Sequence, residues 1–170
     1  TAIFEDIERQ RIKDVFARYV AADVVEEMLK IDCDFFDGQR RELSVLFSDL
    51  RGFTAASERL DTDILVRMLN EHLSAMSQVV LRNRGTLDKF IGDCVMAFWG
   101  APVEQPDHAL RAVRTAVQMR AAHEALLSKW QQRGLPAIQI GIGINTGEVF
   151  VGNIGDERKS SYTVIGDNVN

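Results

Sequence analysis

The 170-residue chain is poor in cysteine and proline, with two and three respectively, and carries no excess of basic charge. Cys33 and Cys94 lie far apart with no CxxC pair, which argues against a disulfide scaffold or a thiolate zinc site. A reducing, cytoplasmic setting is the natural expectation. No apolar run approaches the ~18 residues that a membrane-spanning helix needs, and no signal peptide is visible, so no direct membrane insertion is expected. Lys and Arg number 20 against 25 Asp and Glu, a net charge of −5, and no basic footprint for nucleic acid dominates. A mononucleotide stays compatible with that balance, because a metal can neutralise its charge. Few prolines, 12 glycines and 46% hydrophobic residues exclude disordered and collagen-like chains. The length suits one domain with a real core.

Residues 3–30 read as one helix in which Phe4, Ile7, Ile12, Val15, Phe16 and Tyr19 form an apolar stripe. That stripe suits either packing on its own domain or a parallel dimer helix. Residues 31–41 break the pattern as a linker. RELSVLFSDL then alternates as a strand ending at Asp49, followed by a polar Gly-containing turn and a helical pattern from Asp61 to Arg84 that Gly85 stops. TLDKFI and CVMAFWG flank Gly92-Asp93, a two-residue hairpin signal. A second long helix opens after Pro106-Asp107 and closes at Gly134. AIQIGIGINTGEVFVGNIG reads as two strands around Asn145-Thr146-Gly147, and SSYTVIGD begins another. The order β-α-β-β-α-β plus an extra strand predicts an α+β, ferredoxin-like (split βαβ) fold, an antiparallel sheet with helices on one face.

Asp49 and Asp93 each follow an apolar strand, and in this topology the two strands' ends are neighbours. Alone, either would pass for a solvated turn residue. Together they form a site for Mg²⁺, which takes carboxylates plus substrate phosphates, and two such ions could clamp an in-line displacement at phosphorus. Arg51-Gly52-Phe53-Thr54 follows at once, either a tight turn needing glycine or a nest of N–H groups for an anion. It is not a Walker loop, since GxxxxGK is absent. Lys89 stands inside an apolar strand, where a lysine usually snorkels to the surface. GIGIN (141–145) lacks the full G-x-G-x-x-G and alternates as a strand. His72, His108 and His123 show no HxxxH or HExxH spacing and are expected at helix surfaces or boundaries. No nucleophile elbow or Ser-His-Asp arrangement presents itself.

Taken together and in order, FSDLRGFT (47–54), LDKFIGD (87–93), INTGEVFVGNIG (144–155) and YTVIGDNVN (162–170) closely resemble the catalytic domain of class III nucleotidyl cyclases, of the bacterial adenylyl cyclase type. The resemblance runs from about residue 42 to the end. FARYVAADVVEEML (16–29) is similar to the helix that precedes such domains in bacterial multi-domain cyclases, where it joins an upstream sensor or membrane module. The implied division is a signalling helix and linker at 1–41 and a catalytic domain at 42–170.

Residue by residue, the resemblance implies that Asp49 and Asp93 hold two divalent cations, Mg²⁺ or Mn²⁺. Leu50 replaces a commoner isoleucine, and Leu50 to Thr54 form the substrate-binding turn. Lys89 and Thr163 match the purine-reading pair of adenylyl cyclases. Guanylyl cyclases usually carry Glu at the first position and Cys or a small residue at the second. Lysine suits adenine N1, a bare acceptor, and threonine can accept from the 6-amino group. Asn170 matches the asparagine that orients the ribose. The family's N-x-A-x-R pattern begins there, so its transition-state arginine is expected beyond the last residue, and the chain by itself is expected to have little or no activity.

The expected reaction is conversion of ATP to 3′,5′-cyclic AMP and pyrophosphate at a site shared between the subunits of a homodimer, under an upstream regulatory domain. Thr163 is shared with a subgroup linked to bicarbonate or CO₂ stimulation. The alternatives are a guanylate cyclase and a non-catalytic, cyclase-like module for dimerisation or nucleotide sensing. A diguanylate cyclase is excluded by the turn, FIGDCV in place of GG[DE]EF.

Overall fold

The computed structural model describes residues 2–170. Two helices, α1 (Ala2–Phe16) and α2 (Ala22–Met28), precede strand β1 (Gln39–Leu50). A short helix α3 (Phe53–Ser57) and a long one α4 (Thr62–Arg82) follow, then the hairpin β2 (Thr86–Ile91) and β3 (Cys94–Trp99). Helix α5 (His108–Gln132) leads to β4 (Ile140–Gly155) and β5 (Ser160–Ile165). The five strands form one antiparallel sheet in the order β2-β3-β1-β4-β5. This is the expected α+β architecture, with β1 at its centre.

Strand alternation sorts the side chains onto two faces. Leu46, Val95, Ala97 and Trp99 turn toward α4 and α5, where they pack with Met76, Val79, Val80, Ala112 and Met119. Leu43, Val45, Met96, Phe98, Val149 and Val151 turn the other way and pack with Phe16, Val20, Val24, Val25 and Met28. The long helices therefore share one face as expected, while the N-terminal segment covers part of the opposite one.

That segment departs from the expectation of a single helix over 3–30. The helix breaks at residues 17–21 although neither glycine nor proline is present. The break is a tertiary effect, because the Tyr19 carbonyl accepts a hydrogen bond from Leu87 N (2.7 Å) at the sheet edge. The turn also lets Phe16 and Met28, both wholly buried, enter one core from separate helices. Only the C-terminal part of the apolar stripe is used in this way, and Ile3, Phe4 and Ile7 stay exposed. Arg84 ties α2 down from the α4–β2 turn by ion pairs to Asp23 (2.8 Å) and Glu27.

Three further expectations are corrected. Asn145-Thr146-Gly147 is not a turn, since all three residues pair with Val45, Ser44 and Leu43 of β1 inside one 16-residue strand. Ser44 and Thr146 also join hydroxyl to hydroxyl at 2.6 Å, so the central strands hold the segment extended. His72 and His123 are buried beneath the sheet rather than at a helix surface. Their rings meet edge to face at 5.3 Å between α4 and α5, a packing that a helical periodicity read one helix at a time does not disclose. The linker also ends early, because residues 39–41 already belong to β1.

Candidate active site

At one end of the sheet the two aspartates meet. Asp49 is the penultimate residue of β1, and Asp93 occupies the β2–β3 turn, which Gly92 closes with φ +60°. Ser48 pairs with Val95, so the β1 end lies alongside the start of β3 and the turn before it. The Asp93 carboxylate accepts a hydrogen bond from Leu50 N at 2.7 Å through Oδ2. Asp49 Oδ1 stands 3.7 Å from Arg51 Nε, with both side chains largely in solvent. Cys94 senses both carboxylates: burial pushes its thiol up, and the charges of Asp49 and Asp93 push it further. Two hard oxygen donors on a rigid sheet edge suit a divalent cation that completes its shell with phosphate oxygens and water. Among the described residues no group of three or more His, Cys, Asp or Glu forms a self-sufficient metal cage. The donor set therefore fits ions that a bound nucleotide would help to hold.

Leu50 itself is buried in a third apolar cluster with Met68, Leu126, Trp130 and Ile138, which anchors the β1 end. Gly52 adopts φ +75°, a left-handed conformation open to glycine, and caps α3, whose first residues are Phe53 and Thr54. Not every N–H of this turn is free for an anion. Arg51 N donates to Gln139 O (2.7 Å), and Leu50 N is taken by Asp93. The Arg51 side chain lies across Gly141, where a Cβ would fall 2.4 Å from its Nε.

The two residues expected to read the base lie elsewhere, and here the tertiary structure adds most. Lys89 is on β2 and Thr163 on β5, the two opposite edges of the sheet. The sheet curls around Phe16 and Tyr162, whose rings meet at 4.9 Å, until the edges approach each other. Thr163 Oγ1 then donates a hydrogen bond to Asp88 Oδ2. Lys89 Nζ stands 3.7 Å from Asp88 Oδ1. A register shift between Leu87 and Lys89 bulges the strand at Asp88 and turns its carboxylate inward, while Lys89 stays half exposed. Burial raises the Asp88 carboxyl from its ordinary range, opposed by the Thr163 hydroxyl and the Lys89 ammonium. Tyr19 bridges the same edges, through its carbonyl to Leu87 N and its hydroxyl to Tyr162 N (3.4 Å).

Asn170 is exposed and donates its N–H to Asp167 O (3.2 Å). It lines a cavity of about 520 Å³ with Val45, Phe47, Asn145 and Asn168. Val45 and Phe47, two residues apart on β1, line it from the same face of that strand. Gly143 lines it from β4 where a side chain would otherwise stand, and at Gly147 a Cβ would meet the Asn168 side chain at 2.4 Å. In the GIGIN motif Ile142 and Ile144 pack into the helix-side core, while Gly143 leaves room at the cavity and Gly141 lies under Arg51. The structure therefore gathers Asp49 with Asp93, and Lys89 with Thr163. Among the described residues no hydrogen bond or ion pair joins these two groups within one chain. Asp88, Asn145 and Tyr19 had no place in the sequence reading of the site. For Asp88 a signal existed, an acid in an otherwise apolar strand beside a lysine.

The profile of the adenylate and guanylate cyclase catalytic domain matches residues 37–170. The chain belongs to that family. Among relatives of this cyclase domain, adenylate cyclase 1 of Rhizobium meliloti (strain 1021) is 37% identical over 158 residues, 91% of this chain and 24% of that protein. The chain thus spans about a quarter of that curated relative. Among solved structures, the guanylyl cyclase Cya2 is similar at 45% identity and a TM-score of 0.75, over 78% of this chain and 67% of that one. The adenylyl cyclase CyaB from P. aeruginosa is similar at 43% and 0.76, over 78% and 69%. No described helix of the domain is long and apolar enough to cross a membrane.

Proposed function

We propose that this cyclase domain converts ATP to 3′,5′-cyclic AMP and pyrophosphate as a homodimer. The observation that carries the reading is the convergence of Asp49 and Asp93 at one end of the sheet, with Asp93 fixed by Leu50 N. In this reading the ribose 3′-oxygen attacks the α-phosphorus, its proton leaves to solvent, and the bond to the bridging oxygen of pyrophosphate breaks. The residues contribute positioning and charge complementarity. Asp49 and Asp93 would hold two divalent cations, Mg²⁺ or Mn²⁺. When bound, these supply positive charge that acidifies the hydroxyl and neutralises phosphate. Lys89 donates to adenine N1, Thr163 accepts from the 6-amino group, and Asn170 orients the ribose, with the substrate-binding turn at Leu50, Arg51, Gly52, Phe53 and Thr54.

In this reading the site is completed across a two-fold axis, the aspartates of one subunit facing the Lys89, Thr163 and Asn170 set of the other, the symmetric dimer being the commonest oligomer. The exposed stripe of Ile3, Phe4 and Ile7 on α1 supports a role for that helix in dimerisation and in coupling to an upstream regulatory domain. A second reading, cyclisation of GTP, is favoured by the likeness to the guanylyl cyclase Cya2 at 45% identity.

The test is an assay of cyclic AMP and cyclic GMP formed from ATP and GTP with Mn²⁺ by the full-length protein, alongside Asp49→Asn and Asp93→Asn. Adenine-selective turnover that falls about a hundredfold or more in each variant is expected, the usual scale for losing a group that stabilises developing charge. Turnover of GTP in preference to ATP would favour the second reading. A dimeric protein that cyclises neither nucleotide would refute the activity.

A further inference from the structure

Thr163 reads a purine only if its single hydroxyl proton points away from the ligand. A hydroxyl carries one donor and two acceptor lone pairs, and its rotor turns to suit the neighbours. Left free, it can donate to the 6-oxo group of guanine as readily as it accepts from the 6-amino group of adenine. The threonine by itself therefore does not discriminate.

In this structure the rotor is not free. Thr163 is nearly buried, and its Oγ1 lies within hydrogen-bond distance of Asp88 Oδ2. An ionised carboxylate has no proton to give, so the proton of that bond belongs to the threonine. The Asp88 side chain is shut off from water on its own, with Lys89 Nζ 3.7 Å from its second oxygen. That second oxygen is buried and has no hydrogen-bond partner, which leaves the lysine as its one compensating charge. A solitary buried carboxylate is costly to keep, and such groups are retained where they hold something in place.

We infer that Asp88 is a positioning residue for base specificity: it accepts the hydrogen bond of the Thr163 hydroxyl, leaves the threonine's lone pairs turned toward the ligand, and so makes the site accept from a 6-amino purine and repel a 6-oxo one. The same carboxylate draws the Lys89 ammonium toward the threonine, so one buried charge aligns both members of the pair. The bulge between Leu87 and Lys89 makes this possible by letting consecutive residues of one strand serve one cluster. The inference rests on the nucleotide-cyclase reading above and deepens it. It assigns the adenine preference to three residues rather than two.

The experiment compares ATP and GTP in the full-length protein by kcat/KM and, separately, by equilibrium binding of the two nucleotides with Ca²⁺ in place of Mn²⁺. The variants are Asp88→Asn, Thr163→Val and the double substitution. The amide of Asp88→Asn can donate to Oγ1 and so frees the hydroxyl to point outward. The ATP:GTP ratio in binding is expected to fall at least tenfold in Asp88→Asn, chiefly through weaker ATP and tighter GTP. In the Thr163→Val background the same change is expected to have no further effect on the ratio, because Asp88 acts through that hydroxyl.

A folded Asp88→Asn protein that loses ATP and GTP binding equally overturns the proposal, since a merely structural carboxylate would do that. A ratio that still falls in the Thr163→Val background overturns it too. Asp88→Ser, which withdraws the carboxylate without an amide, carries the same expectation should Asp88→Asn fail to fold. A wild-type protein that binds ATP over GTP but cyclises neither defeats the catalytic reading and leaves the binding test of Asp88 standing. A wild-type protein with no adenine preference in binding overturns the proposal outright.

Discussion

Lowering the pH should destabilise this domain through its buried histidines before its carboxylates are protonated. His72 is fully buried, and neither of its ring nitrogens has a hydrogen-bond partner. Burial drives its pKa down from 6.5 to about 4, the neighbouring His123 adds to that, and Asp93 partly opposes it. The unfolded chain takes up the proton near pH 6.5 while the folded one resists until about 4, so stability is full above the first value and drains away between the two. By linkage the loss reaches about 2 kcal/mol at pH 5 and about 3 kcal/mol at pH 4. His123 shifts in the same direction, again through burial, although its Nε2–H donates to Ile138 O at 2.6 Å. The assay is urea unfolding of the chelator-treated domain at intervals from pH 7.5 to 4, for the wild type and His72→Leu. The leucine is close in volume and has no nitrogen to protonate. The wild type should lose about 2 kcal/mol more than the variant between pH 7.5 and 5, and the residual slope of the variant belongs to His123 and the carboxylates common to both proteins. Equal slopes in the two proteins would refute the reasoning, because ordinary carboxylate titration is common to both and cancels.

Phe16→Ala should cost about 3–5 kcal/mol in denaturant unfolding, as expected for a wholly buried ring. A loss under about 1 kcal/mol would mean that the α1–α2 junction is not part of the cooperative core. Glu71→Gln should cost only about 0.5–1 kcal/mol, because the Arg133 pair it breaks (2.9 Å) is partly exposed. In that variant the remaining amide oxygen can still accept from Trp130 Nε1, a bond of 2.9 Å in the wild type. A thermal midpoint more than ten degrees lower would contradict this.

The sequence alone determined the type and order of most elements, from the first sheet strand to the second long helix. Periodicities of 3.6 and 2 are local properties, and Gly52, Gly85, Gly92 and Gly134 mark the breaks because backbone sterics act within a few residues. It also singled out Asp49 and Asp93 as a pair, which could be placed at neighbouring strand ends once the β-α-β-β order was read. The tertiary structure decided the rest. The helix over 3–30 broke at Tyr19 because the sheet edge competes for that carbonyl, and no local propensity encodes a partner at Leu87. Asn145-Thr146-Gly147 looks like a turn, yet it is held extended by β1, whose pairing outweighs local preference. His72 and His123 are each ordinary helix residues until α4 and α5 pack and close over them. Asp88 reaches Thr163 only because a curled sheet brings its first and last strands together, 75 residues apart in the chain. Sheet curvature is a property of the whole packed layer and is written in no single stretch of sequence.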